Sequence, residues 1–197
     1  MGVRIRARLA REEGQTFIEM LTVMAMLSFV MAAVATLFVA GIHAQTDMDQ
    51  RFQAQQNARL ALVSIRHDIR TSCVAPQVYS TPSSGTPLAS GVYGAKVVFA
   101  SACSAGVATS NVTWCADSST GAAPFGLYRR TGTTCTYSTG VKKADQLKVN
   151  TVFALSTVSG RRPQLAVSFP VDANLSTSNG VYTLSDAVMA RNSAATP

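Results

Sequence analysis

One hundred and ninety-seven residues allow one ordinary domain, or a small domain with an appended element. Seventeen basic and ten acidic residues give a net charge of +7, yet only 14% of the chain is charged and 47% is hydrophobic. That balance excludes a disordered polyelectrolyte and argues against a wholly water-soluble chain.

The apolar excess is concentrated near the N-terminus. Met20–Ala40 consists of Met, Leu, Val, Ala and Phe, interrupted only by Thr22, Ser28 and Thr36. As a helix this stretch is roughly 32 Å long, enough to cross the hydrocarbon layer. Thr and Ser can return their hydroxyls to backbone carbonyls, so they are compatible with a membrane helix. Arg4, Arg6, Arg8 and Arg11 precede it. A positive flank stays cytoplasmic, which sends everything after the helix outside. Glu19 opens the apolar run, and a carboxylate drawn into lipid from there costs roughly 2–3 kcal/mol or more. The plain account of Glu19 is an interfacial residue near the positive end of a helix.

The string Glu12-Glu13-Gly14-Gln15-Thr16-Phe17-Ile18-Glu19-Met20-Leu21 resembles the processing site of type IV pilins and type II secretion pseudopilins. In that family a short basic leader ends in Gly, and an aspartic prepilin peptidase cuts on the cytoplasmic side. The new N-terminal residue is methylated, and the fifth residue of the mature chain is Glu. The resemblance implies cleavage after Gly14, a new terminus at Gln15, and an assembly role for Glu19. In a filament of bundled apolar helices, the freed α-amino group of a neighbouring subunit would neutralise this carboxylate, setting register more than adding stability. Major pilins commonly carry a Pro inside this helix about where Thr36 stands, so the resemblance points to a minor component. Signal-peptidase cleavage is the alternative. Val39-Ala40-Gly41 would release a product beginning near Ile42, although the apolar run exceeds the usual length of about 7–15 residues.

After Gly41 the chain turns polar without a turn signal. Ala54, Ala58, Ala61, Leu62, Ile65 and Ile69 recur at three- and four-residue steps, giving one apolar stripe, with Arg59, Arg66, His67 and Arg70 opposite. The stop signal is Thr71-Ser72-Cys73, followed by Pro76. His67 and Asp68 are expected to be a solvated pair rather than a catalytic or metal site. The stretch Gln55–Arg70 resembles the corresponding segment of minor pilins of the W type and pseudopilins of the J type, as does the terminal Tyr182–Asn192.

From Cys73 onward Ser, Thr, Gly and Val dominate. Strands are expected at 95–100, 111–116, 125–130, 149–156, 165–171 and 181–189, with loops at 83–87, 117–121, 131–134 and 174–180. The expected fold is α+β and pilin-like: a long N-terminal helix packed on a mostly antiparallel β-sheet head. Its divisions are a leader at 1–14, a membrane or filament-core helix at 15–41, the amphipathic half of the same helix at 42–72, and the head at 73–197.

Cys73, Cys103, Cys115 and Cys135 all follow the apolar helix and lack metal-binding spacing, so two disulfides are expected. Three connectivities are open, and we favour Cys73–Cys103 with Cys115–Cys135. No residue set nominates an enzyme, a cofactor or a metal site. Asp172-x-Asn174 offers too few ligands for Ca²⁺, and the triplets beginning at Asn111 and Asn174 fit a glycosylation sequon that is frequent by chance.

Removing residues 1–14, with four Arg and two Glu, lowers the net charge from +7 to +5. Arg129, Arg130, Lys142, Lys143, Arg161 and Arg162 fall in or beside expected loops, as ordinary solubilising charge or as contacts to DNA or another anionic surface. The resemblance also implies partners and location. The partners are a prepilin peptidase, other pilins in a hetero-oligomeric filament, an inner-membrane assembly platform, and membrane lipid before assembly. The location is the bacterial cytoplasmic membrane with the head outside, then a pilus or pseudopilus at the surface.

Overall fold

The computed structural model describes residues 16–83, 85–104, 107–172 and 181–193. One helix, α1, runs over Phe17–Thr71, and nine strands follow. The chain divides into two compact units, Met1–Thr46 and Asp47–Pro197.

In the first unit, all described residues from Thr16 to Thr46 are solvent-exposed. The helix is long and apolar enough to cross a membrane. Thr22, Ser28 and Thr36 donate their hydroxyls to the carbonyls of Glu19, Ala25 and Ala33 at 2.9, 2.7 and 2.8 Å. Each polar interruption is therefore satisfied within the helix itself, as a spanning segment requires.

In the second unit the remainder of α1 supplies Ala54, Ala58, Ala61, Leu62, Ile65 and Ile69 to one hydrophobic core. The small alanines bring the helix close to the sheet, and the larger side chains follow towards the C-terminal end. Ser72 N–H donates to the Asp68 carbonyl at 3.0 Å and closes the last turn. Cys73 then forms a disulfide with Cys103, attaching the chain just after α1 to the sheet.

The strands are β1 Gln77–Tyr79, β2 Tyr93–Gly94, β3 Lys96–Ser104, β4 Val107–Asp117, β5 Phe125–Thr131, β6 Val141–Leu147, β7 Phe153–Ser156, β8 Gln164–Val171 and β9 Tyr182–Met189. They form one sheet in the order β1-β3-β4-β5-β6-β8-β7-β2, with β9 on β8, and every pairing is antiparallel. The fold is therefore α+β, a long helix with a large antiparallel sheet.

Along β8, Leu165, Val167, Phe169 and Val171 alternate into the core. The Phe169 ring meets Phe153 edge-on, with centroids 6.3 Å apart. β9 pairs with β8 along its whole length, while the opposite edge of β8 is shared by β7 and β6. Pro170 lies where that shared edge passes from β7 to β6. Its carbonyl accepts from Lys148 at 2.8 Å, so its missing N–H falls in a gap of the ladder, where a proline is tolerated.

The expected strands at 95–100, 111–116, 125–130, 165–171 and 181–189 coincide closely with observed ones. The expectation at 149–156 shrinks to Phe153–Ser156. β1, β2 and β6 carry no clear strand signal in the sequence. In β6 the buried Ala144 and Leu147 are three residues apart, a spacing that does not fit a regular strand. Register shifts against β5, between Phe125 and Leu127 and between Leu127 and Tyr128, give β6 two β-bulges. Each bulge adds a residue and breaks the two-residue period.

Candidate functional site

Gly14 and Gln15 lie outside the described residues. Glu19 occupies the first turn of α1, where its N–H donates to the Thr16 carbonyl at 2.9 Å. A carboxylate in a first turn is favoured by the helix dipole. Around and behind it lies an apolar surface that no described residue covers, including Phe17, Ile18, Leu27, Phe29 and Phe38.

In the second unit, α1 has apolar residues on two faces. The buried face packs on the sheet. On the opposite face Met48, Phe52, Leu60 and Val63 are 70%, 60%, 65% and 59% exposed. These four interleave with Gln56, Arg59 and His67, so the sequence reading of that face as simply polar missed them. The signal was present in the sequence but masked by the stronger alanine-rich stripe.

The most tightly built polar constellation is centred on Asp68, which is buried. Its Oδ2 accepts from Trp114 Nε1 at 2.6 Å and from Arg129 Nε at 2.8 Å, and its Oδ1 accepts from Arg129 Nη2 at 3.0 Å. Two donors of one guanidinium thus grip both carboxylate oxygens, and the indole N–H takes a further lone pair. The hydrogen bond to Asp68 raises the Arg129 guanidinium further above its ordinary range.

This corrects one expectation and adds to another. His67 is exposed, but Asp68 turns inward and has no part in a solvated pair. Arg129, read from the sequence as solubilising charge or as a contact to an anionic surface, is engaged by the helix carboxylate through Nε and Nη2. No sequence signal linked positions 68, 114 and 129. The β4–β5 register sets Trp114 opposite Arg129, and the packing of α1 on the sheet brings Asp68 to both.

The other basic candidates are exposed, and they fall at two places. Lys142 forms an ion pair with Asp145 at 3.2 Å, in a cleft that also contains Asp117 and Tyr137. Lys143 is its exposed neighbour on β6, and Arg130 lies at the exposed end of β5. Arg161 and Arg162 border a different depression with Gln164 and Met189. Gln164 and Met189 also line the adjoining cleft of Arg66, Arg70 and Arg191. Five arginines therefore share one continuous face, and three of them were not singled out from the sequence. Within that face Arg66 Nε donates to Asp186 at 2.6 Å, and Arg162 Nη1 donates to the Arg191 carbonyl. The hydrogen bond from Arg66 holds the Asp186 carboxyl below the usual carboxylate range.

The cysteines pair as Cys73–Cys103 and Cys115–Cys135, with Cα atoms 6.3 and 5.9 Å apart. Among the described residues, no three His, Cys, Asp or Glu side chains converge to hold a metal ion. Asp172 is buried, while Asn174 lies outside the described residues, as does the sequon that begins there. Asn111, which begins the other sequon, lies in β4. No protein-family model, no curated protein and no solved structure matches this chain.

Proposed function

We propose that this chain is a minor pilin or pseudopilin, a non-enzymatic structural subunit that joins a type IV pilus-like filament serving DNA uptake, adhesion, motility or protein secretion. The observation that carries the reading is the N-terminal arrangement. A Gly14-Gln15 junction is followed at a fixed offset by Glu19, and behind it extends an apolar helical surface that no described residue covers. A helix of that kind has two stable environments, lipid and a bundle of similar helices. In the first it holds the precursor as a single span with the head outside the cytoplasmic membrane. In the second it forms the filament core.

Clipping after Gly14 by a prepilin peptidase frees the Gln15 amine, the site of methylation. The amine of one subunit then neutralises Glu19 of a neighbour as both leave lipid, with the inner-membrane platform driving the transfer. The exposed stripe of Met48, Phe52, Leu60 and Val63 extends the apolar contact surface beyond the spanning segment. The test is intact-mass and N-terminal peptide spectrometry of protein recovered from the membrane. A chain starting at Gln15, with or without one added methyl group, is expected. A start near Ile42, or an intact leader, overturns the reading.

A second reading makes the subunit a pilus-borne module that contacts DNA or an anionic surface. It is favoured by the face that gathers Arg66, Arg70, Arg161, Arg162 and Arg191. Phosphate contacts of this type weaken steeply with salt. A gel shift that is salt-sensitive and lost on substitution of Arg161 and Arg162 would separate this reading from a pure scaffold.

A further inference from the structure

β6 is the most irregular strand of the sheet. Its two bulges rotate successive side chains out of alternation, and bulges of this kind re-aim side chains near binding sites. In the bulge between Ala144 and Leu147, Gln146 has φ 61°, and no other described non-glycine residue has a positive φ. That conformation is costly for a side-chain-bearing residue and persists only where its surroundings enforce it. Here the Gln146 carbonyl accepts from the Asp172 N–H at 2.9 Å, which fixes the turn.

The bulge faces a cleft of about 190 Å³ lined by Asp117, Tyr128, Tyr137, Lys142, Asp145 and Gln146, among others. Its walls are rigidly set. Asp117 Oδ2 accepts from the Tyr137 N–H at 3.2 Å, and its Oδ1 accepts from the Ser118 N–H at 2.9 Å. The Tyr128 ring lies against Gly126, where a Cβ would stand 2.8 Å from its hydroxyl, so the glycine keeps room for the phenol. The phenol hydroxyls of Tyr128 and Tyr137 and the carboxamide of Gln146 make no hydrogen bond to another described residue. Three residues whose polar groups can both donate and accept therefore line one small cleft, where among the described residues no side chain or backbone group engages them and a ligand can replace water.

We propose that this cleft binds one neutral sugar unit of a glycan. Two carboxylates against one ammonium leave the site with net negative charge, which disfavours phosphate, sulfate and nucleic acid. Asp117 and Asp145 supply too few oxygen ligands for a divalent cation, while each keeps lone pairs that can accept from a hydroxyl beside the Ser118 and Tyr137 N–H groups and the Lys142 ammonium. The lining mixes these polar groups with Pro124 and Phe125, which calls for a ligand that has both hydrogen-bonding groups and an apolar face. A pyranose matches what remains. Its hydroxyls both donate to carboxylates and accept from phenols, amide and ammonium, and its C–H face lies on a half-exposed tyrosine ring. The small volume limits the site to a single ring.

The test uses the full chain in a detergent without a sugar headgroup. The probes are the methyl glycosides of glucose, galactose and mannose, then N-acetylglucosamine and N-acetylgalactosamine, with sialic acid and inorganic phosphate as anionic controls. Saturation-transfer NMR and calorimetry should show saturable binding of at least one neutral sugar. Tyr137→Ala and Gln146→Gly should each weaken it about tenfold or more. Gln146→Gly is the informative variant, because glycine relieves the left-handed backbone. Its unfolding midpoint should stay level or rise while binding falls, which separates a lost contact from a lost fold. Absence of binding by every neutral sugar overturns the proposal. So does binding of the anions alone, or an affinity unchanged in both variants.

Discussion

Replacing Arg129 by Met is the most direct probe of how the helix is held to the sheet. The substitution keeps most of the aliphatic stem and removes the two N–H donors that grip Asp68. The Asp68 side chain is only 7% exposed, so the carboxylate cannot recover water in their place and retains one donor, Trp114 Nε1. Breaking a buried ion pair from one side costs about 3–5 kcal/mol. The Arg129 side chain is 33% exposed, so screening puts the expected loss at the lower end, about 3 kcal/mol. Against a typical total stability of about 5–15 kcal/mol this is a large fraction.

Asp68→Leu acts from the other side. It leaves the indole N–H without an acceptor, at about 1–3 kcal/mol, while Arg129 can turn to solvent. The double variant should therefore lose less than the sum of the two singles, with a coupling of about 1–3 kcal/mol. The assay is built into the chain, because Trp114 is its only tryptophan and is itself a member of the network. Urea unfolding followed by its fluorescence gives the midpoint and slope for each variant. A loss below about 1 kcal/mol for Arg129→Met, or strict additivity in the double variant, would refute the claim that this pair fastens the helix.

Three further outcomes follow from the same structure. Glu19→Ala should leave membrane insertion intact but lower the amount of subunit recovered in filaments, read by fractionation of membrane against sheared material; equal incorporation would remove the pairing role. Reducing the disulfides, which close separations of 30 and 20 residues, should cost about 3–4 kcal/mol each, visible as a drop in the urea midpoint with reductant and absent in the corresponding Cys→Ser variants. Asp186 is held below its ordinary range first by its hydrogen bond from Arg66, so its contribution to stability is present above the unfolded-state value and disappears as pH falls through the depressed one. Asp186→Asn should accordingly be less stable than the parent chain at neutral pH, and the gap should close on acidification; a gap that widens with acid would contradict the assigned direction.

The parts of the fold legible in the sequence are those with unbroken periodicity. Ala54 through Ile69 repeats at helical spacing, and Leu165, Val167, Phe169 and Val171 alternate, so each carries its own period. β6 was invisible because its bulges spoil the alternation, and β2 because two residues cannot display a period at all. The basic face was half legible. Arg161 and Arg162 advertise themselves as a pair in sequence, whereas Arg66, Arg70 and Arg191 join them only after β9 is laid along β8 beside the helix. Asp68 shows the same limit more sharply. Nothing local distinguishes an aspartate that faces water from one that meets a tryptophan 46 positions away and an arginine 61 positions away.

The second unit does not need Met48, Phe52, Leu60 and Val63 for its own folding. The sheet core is complete on the other face of α1, where Ala58, Ile65 and Ile69 have no exposed surface. Scattered apolar residues on a surface require no explanation, but four on the same side of one helix form a stripe rather than a scatter. Each would be favoured by roughly 1.5–3 kcal/mol on full burial. A helix that must stay soluble along this face gains nothing from them, whereas one that packs against neighbouring helices gains on every subunit added. Arg59 within the stripe sets a condition on such packing, since its charge must reach solvent or an opposing carboxylate at the contact. Lipid burial alone explains the run before Gly41, but it does not explain apolar residues alternating with Gln56, Arg59 and His67. Helix-to-helix association would account for both segments with one mechanism, which is what the proposed role as a filament subunit requires and a merely anchored head does not.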